Sequence, residues 1–185
     1  SYTVLREDRI GIVGRNGAGK STLLNLLSGR IPPDEGSVQI GETVRIGYFT
    51  QETPPFPPDC KVFDYIRDIA AEVQTKEGKI SASQMLERFL FSPAAQQMPA
   101  AKLSGGEKRR LFLLGILMSA PNILFLDEPT NDLDIDTLTV LEEYLESFPG
   151  AVLAVSHDRY FLDKMAQSIF EVEEDGRVSR YEGNY

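Results

Sequence analysis

Residues 9–21, RIGIVGRNGAGKS, constrain this chain more than any other stretch. RIGIVG, 9–14, is a short apolar run closing on glycine, the pattern of a buried strand in a parallel sheet. KSTLLNLLSG, 20–29, places Leu23, Leu24, Leu26 and Leu27 ahead of Gly29, the pattern of a helix stopped by glycine. Between them, Gly14, Arg15, Asn16, Gly17, Ala18, Gly19, Lys20 and Ser21 satisfy G-x-x-x-x-G-K-S. In a strand-to-helix setting that pattern is a phosphate cradle. The glycines let backbone amides turn inward, the Lys20 amine reaches a terminal phosphate, and the Ser21 hydroxyl suits Mg²⁺. A plain glycine-rich turn is the competing reading, and the complete motif in its strand–helix context argues against it.

Apolar runs at NILFLDEP, 122–129, and AVLAVSHD, 151–158, read as two further buried strands. DIDTLTVLEEYLESF, 134–148, puts Leu138, Leu141, Leu145 and Phe148 on one helical face. Strands alternating with helices predict an α/β fold with a parallel sheet. Residues 31–51 alternate as short antiparallel strands, and ETPPFPPDC, 52–60, with four prolines, is a loop. Helices are expected at 61–73 and 81–91, the second with a Ser81/Gln84 capping box, and a short one follows His157. A hairpin turning near Asp175–Gly176 ends the chain. The layout is one domain over 1–185, with a core of 1–52 and 104–185 and a helical lobe at about 60–103.

The 185 residues suffice for a sizeable core. A single cysteine, Cys60, excludes an internal disulfide and favours a reducing compartment. The apolar run LFLLGILM, 111–118, is far short of the ~20 residues of a membrane span and reads as buried helix. A formal charge of −9 removes a general basic footprint for nucleic acid.

Two acids close the second strand. Asp127, at its end, is placed to hold Mg²⁺. Glu128, on the alternate side, is placed to polarise an attacking water. His157, the only histidine, reads equally as a turn residue, Gln51 as a surface amide, and Asn131 and Asp134 as helix caps. KLSGGEKRR, 102–110, poses a sharper question: Ser104 and Glu107 form a capping box, yet two poor helix formers, Gly105 and Gly106, occupy the first turn. Either the chain turns tightly there, or an anion must come close to bare backbone at a helix N-terminus.

Order and spacing resemble the ATP-binding cassette superfamily over nearly the whole chain. GRNGAGKST, Gly14–Thr22, resembles its Walker A, Gln51 its Q-loop, LSGGE, 103–107, its signature, and ILFLDEP its Walker B with the following glutamate. NDLD, 131–134, resembles its D-loop and His157 its switch histidine. DEPTNDLD, SHDRYFLD and the closing YEGNY resemble the ABC-F branch, and Asp132 suits the second cassette of its Uup-like group.

The resemblance implies a P-loop α/β domain: a mostly parallel core sheet, an antiparallel β region and a small helical lobe. It implies Mg²⁺-dependent ATP hydrolysis used as a conformational switch between paired cassettes. Ser21, Gln51 and Asp127 would hold the metal, Glu128 would activate water, and His157 would touch the γ-phosphate. Ser104, Gly105, Gly106 and Glu107 would cover an ATP held by the opposing cassette, and Asp134 would couple the two sites. The second cassette would lie in the same full-length chain or in a dimer mate. The parent would be a cytoplasmic ribosome factor, without direct membrane insertion, meeting rRNA and tRNA through segments absent here. Two rivals share the motifs: the ATP-binding subunit of a transporter, and a module that only binds nucleotide. A chromosome-maintenance ATPase is disfavoured, because about 50 residues between Gln51 and Ser104 leave no space for long coiled coils. One departure stands out: family members stack adenine on an upstream aromatic, and Tyr2 lies too close to Lys20 for that. The expectation is that the chain starts after the strand that supplies it.

Overall fold

The computed structural model describes residues 2–15, 19–175 and 177–182. The cradle residues Asn16, Gly17 and Ala18, and Gly176 of the expected hairpin turn, lie outside the described residues.

The chain opens with β1 (Arg9–Gly14), α1 (Lys20–Leu27) and β2 (Ile46–Phe49). Then come α2 (Val62–Ile69), the pair β3 (Glu72–Thr75) and β4 (Gly78–Ser81), α3 (Ala82–Arg88), α4 (Pro93–Gln96) and the long α5 (Gly105–Met118). The rest is β5 (Ile123–Asp127), α6 (Pro129–Asp132), α7 (Ile135–Ser147), β6 (Ala151–Val155), α8 (Arg159–Met165), β7 (Ser168–Val172) and β8 (Val178–Glu182).

The main sheet runs β2-β5-β6-β1-β7-β8, parallel throughout except for the closing β7–β8 hairpin. Its inner strands are apolar on both faces because helices cover both. Leu124 and Leu126 of β5, with Val152 and Ala154 of β6, enter the core that also holds Leu111, Leu114 and Leu141. The alternate residues Phe125, Leu153 and Val155 join Ile10, Ile12 and Leu24 on the other face. Each fully buried side chain of this kind contributes about 1.5–3 kcal/mol over an exposed one.

The structure departs from the sequence expectation in two places. Residues 31–51 hold one strand, β2, and it runs parallel to β5. Asn122 sets this pairing: its Oδ1 accepts from the Arg45 amide at 2.7 Å, and its Nδ2 donates to the Thr43 carbonyl at 2.8 Å. The antiparallel region lies instead at β3–β4, between the expected helices, and β3 takes the last residues of the one expected over 61–73. There α2 stops at Ile69, Ala70 is extended, and Val73 and Thr75 alternate buried against exposed Glu72 and Gln74. The Ser81 capping box forms in full on α3.

Candidate functional site

Three strands deliver the chemistry to one edge of the sheet. β1 ends at Gly14, whose carbonyl accepts from Lys20 Nζ at 2.8 Å. β5 ends at Asp127, and the chain then turns sharply at Glu128, with a left-handed φ of 51°. Such a backbone costs a non-glycine residue about 1–3 kcal/mol, and it is held here by the Glu128 amide donating to the Val155 carbonyl at 2.8 Å. This turn, rather than simple strand alternation, aims the Glu128 side chain. β6 is followed by Ser156 and His157, so the imidazole reaches the same place from a third strand.

The three side chains converge. Lys20 Nζ lies 2.8 Å from His157 Nε2 and 3.7 Å from Glu128 Oε1, and His157 Nε2 lies 3.1 Å from the same oxygen. The histidine nitrogen accepts from Lys20 or donates to Glu128, depending on its tautomer. Lys20 and Glu128 are buried, and Glu128 Oε2 has no hydrogen-bond partner among the described residues. Such a buried orphan oxygen is costly unless it meets a donor such as water. Glu128 lines a cavity of about 270 Å³ with Gly19, Lys20, Ser21, Thr22 and Gln51.

Asp127 sits beside that cavity, buried, and burial pushes its carboxyl above its ordinary value. Hydrogen bonds from Ser21 and Gln51 and the charges of Arg109 and Lys20 pull the other way without overcoming burial. The Gln51 amide donates to Asp127 Oδ1 at 3.4 Å. No cluster of three or more His, Cys, Asp or Glu exists among the described residues, so a site rich in carboxylates or thiolates is excluded there. One under-compensated carboxylate beside a hydroxyl and an amide fits Mg²⁺, which keeps waters and substrate oxygens in its shell.

The remaining candidates lie apart from Lys20. Ser104 caps α5: its hydroxyl accepts from the Glu107 amide at 3.2 Å, and Glu107 Oε1 accepts from the Ser104 amide at 3.0 Å. These bonds hold the Glu107 carboxyl below its ordinary value. Gly105 and Gly106 are ordinary helical residues, and a Cβ built on either meets nothing within 4 Å among the described residues. They line a groove of about 680 Å³ that Gln51 also lines, so Gln51 touches both the cavity and the groove. Asp134 caps α7, accepting from the Thr137 amide at 2.7 Å. Arg15 is exposed and pairs with Glu174 at 2.5 Å.

The sequence model of the family described as ABC transporter matches residues 1–131. The chain belongs to that family. The cassette is 56% identical over 183 residues to a Bacillus subtilis (strain 168) protein named uncharacterized ABC transporter ATP-binding protein YfmR, covering 98% of this chain and 29% of that one. It is 40% identical over its whole length to the ATP-binding protein Uup of Escherichia coli (strain K12), covering 29% of it. It is also 40% identical over its whole length to the energy-dependent translational throttle protein EttA of Haemophilus influenzae, covering 33% of it. The chain thus spans about a third of the length of these relatives. Among solved structures it matches the dimeric post-hydrolysis state of the cassette MJ0796 bound to ADP and Pi, with a TM-score of 0.72 and 21% identity over 98% of this chain and 88% of that one. That likeness carries the fold.

Sequence reasoning missed Arg109. It is the one buried charged residue of α5, reaching Thr53 and Asp132 beside the groove. Its signal was a cation in helical register with the apolar Phe112.

Proposed function

We propose that this cassette binds ATP with Mg²⁺ and hydrolyses it while paired with a second cassette, as a conformational switch. The observation that carries the reading is the convergence of Lys20, Glu128 and His157 from three strand ends, with Glu128 Oε2 buried and without a hydrogen-bond partner among the described residues. Lys20, Gly14, Arg15, Gly19, Ser21 and Thr22, with Asn16, Gly17 and Ala18, form the phosphate cradle. Ser21, Asp127 and Gln51 hold the metal, which when bound neutralises charge across the terminal phosphates. Glu128 orients and activates the attacking water, and His157, beside Lys20 and Glu128, senses the γ-phosphate. Gln51 lines both cavities, which suits it to report between them. Asp134 couples the two sites.

Gly105 and Gly106 support pairing. No contact among the described residues asks for glycine at either position. Glycine there leaves the α5 N-terminus bare for a phosphate held by a mate, with Ser104 and Glu107 shaping the turn. A cavity shared by two cassettes also fits the split between the Lys20 cavity and the Gly105–Gly106 groove.

The parent reading is a cytoplasmic ABC-F factor acting on ribosomes, with rRNA and tRNA met through segments outside this chain. The 40% identity to proteins named Uup and EttA, one of them a translational throttle by name, supports it. No helix among the described residues is long and apolar enough to cross a membrane. The test is co-sedimentation of the intact E128Q protein with ribosomes in ATP. ATP-dependent capture supports the translation reading; capture by a membrane permease in its place overturns it in favour of transport. Within the same protein, E128Q is expected to keep ATP affinity and slow turnover about 10²- to 10⁴-fold. Turnover at the parent rate removes Glu128 from the role of base.

A further inference from the structure

Arg109 is buried, 4% exposed, yet its Nε and Nη2 find no hydrogen-bond partner among the described residues. As a fixture of the core it is a poor choice. An apolar side chain of similar volume at a buried ionic position is often as stabilising or more so. Its contacts point to another use. The guanidinium stacks over Phe49 at 3.9 Å, and its Nη1 donates to Thr53 Oγ1 at 3.3 Å. Phe49 and Thr53 stand two residues before and two after Gln51, so one guanidinium braces that loop on both sides. Gln51 in turn donates to Asp127.

The same group reaches a second element. Arg109 Nε lies 3.7 Å from Asp132 Oδ2, an ion pair just short of hydrogen-bond distance. Asp132 ends α6, the short helix that begins directly after Glu128. Arg109 also lies three and four residues beyond Gly106 and Gly105, on the same side of α5, and lines the groove with them.

We infer that Arg109 is a positioning residue for hydrolysis: it ties the Gly105–Gly106 face to Gln51 on one side and to the segment after Glu128 on the other. Engagement of that face by a phosphate shifts the first turns of α5. Arg109 carries the shift to the Gln51–Asp127 pair and, by closing the last ångström to Asp132, to the turn that aims Glu128. The inference rests on the ATPase reading above.

The test uses the intact protein, with ATP turnover measured against both ATP and Mg²⁺, and nucleotide binding measured separately with a fluorescent ATP analogue. R109M keeps the bulk over Phe49 and removes the charge and donors. Its kcat is expected to fall at least tenfold, and its half-saturating Mg²⁺ to rise severalfold. Analogue affinity stays within twofold and the melting temperature changes little. R109K, which restores the charge, recovers part of the Mg²⁺ dependence. R109M with the parent kcat and Mg²⁺ dependence overturns the inference. If R109M does not fold, T53V and D132N decide. Each is expected to lower kcat severalfold, with T53V alone shifting the Mg²⁺ dependence, and silence of both overturns the inference. K20A separates the two levels: if it too hydrolyses ATP at the parent rate, the ATPase reading fails, whereas a dead K20A beside a fully active R109M refutes Arg109 alone.

Discussion

Replacing Gly105 and Gly106 by alanine should make the protein more stable and less active at once. Both residues are helical, in the first turn of α5 behind the Ser104 cap. Alanine exceeds glycine by about 0.8–1 kcal/mol in a helix interior, and a first-turn site yields roughly half to all of that. A Cβ at either position meets nothing within 4 Å among the described residues, so no clash offsets the gain. The pair of substitutions therefore stabilises by about 1–2 kcal/mol. For a domain of this size that is a rise of about 2–8 °C in melting temperature. Turnover should move the other way. If the mate's phosphate approaches those amides, two methyl groups stand in its path and hold it away from the charge-assisted donors. Removal of a single donor of that kind from an oxyanion site costs about 10²- to 10³-fold in kcat. Thermal melts and steady-state ATPase on the intact protein, parent against G105A/G106A, measure both sides. A variant that melts higher and hydrolyses at the parent rate refutes the idea that an outside group approaches this helix. A variant that melts lower refutes the claim that the fold itself has no use for the glycines.

Further outcomes follow from single side chains. Asp127 is a carboxylate whose folded pKa is raised by burial. The folded state therefore holds its proton more tightly than the unfolded chain. That contribution to stability is complete below the unfolded value near 4 and is lost as pH rises through the folded one. D127N should accordingly melt higher than the parent at neutral pH without divalent cation, with the gap closing near pH 3–4 and narrowing when Mg²⁺ is added to the parent. A parent as stable as D127N across that range refutes the burial argument. Arg9 donates to the carbonyls of Gly150, Leu145 and Phe148 at 2.7, 3.2 and 3.0 Å, gathering the end of α7 onto β1. With charged-group hydrogen bonds at about 1.5–3 kcal/mol each and the three sharing one cation, R9A should lose about 2–4 kcal/mol in denaturant titration. A loss under 1 kcal/mol refutes that accounting.

The parts of this cassette legible in its sequence are those whose chemistry is contiguous. β1, the cradle and α1 follow one another, and the two acids close β5 directly. Both capping boxes are visible because their partners stand three residues apart. Contacts between distant segments were not legible. β2 reads as one of several antiparallel strands until Asn122 is seen gripping residues 43–45 and setting it parallel to β5. Arg109 carries no local signature of its role, which rests on Thr53 and Asp132 from distant segments.

The glycines show most clearly where local reading runs out. Gly47, Gly150, Gly105 and Gly106 are the same letter, yet they answer to different demands. A Cβ at Gly47 would come within 2.8 Å of Ile116 and Pro121, and one at Gly150 within 2.4 Å of the Asn122 carbonyl. Those two make room for the chain's own packing. Gly105 and Gly106 make room for nothing among the described residues, although each weakens the helix it begins. That is what the proposed pairing asks of a surface met by a phosphate from outside. Here it lies at a helix N-terminus, beside a groove that Gln51 shares with the Lys20 cavity.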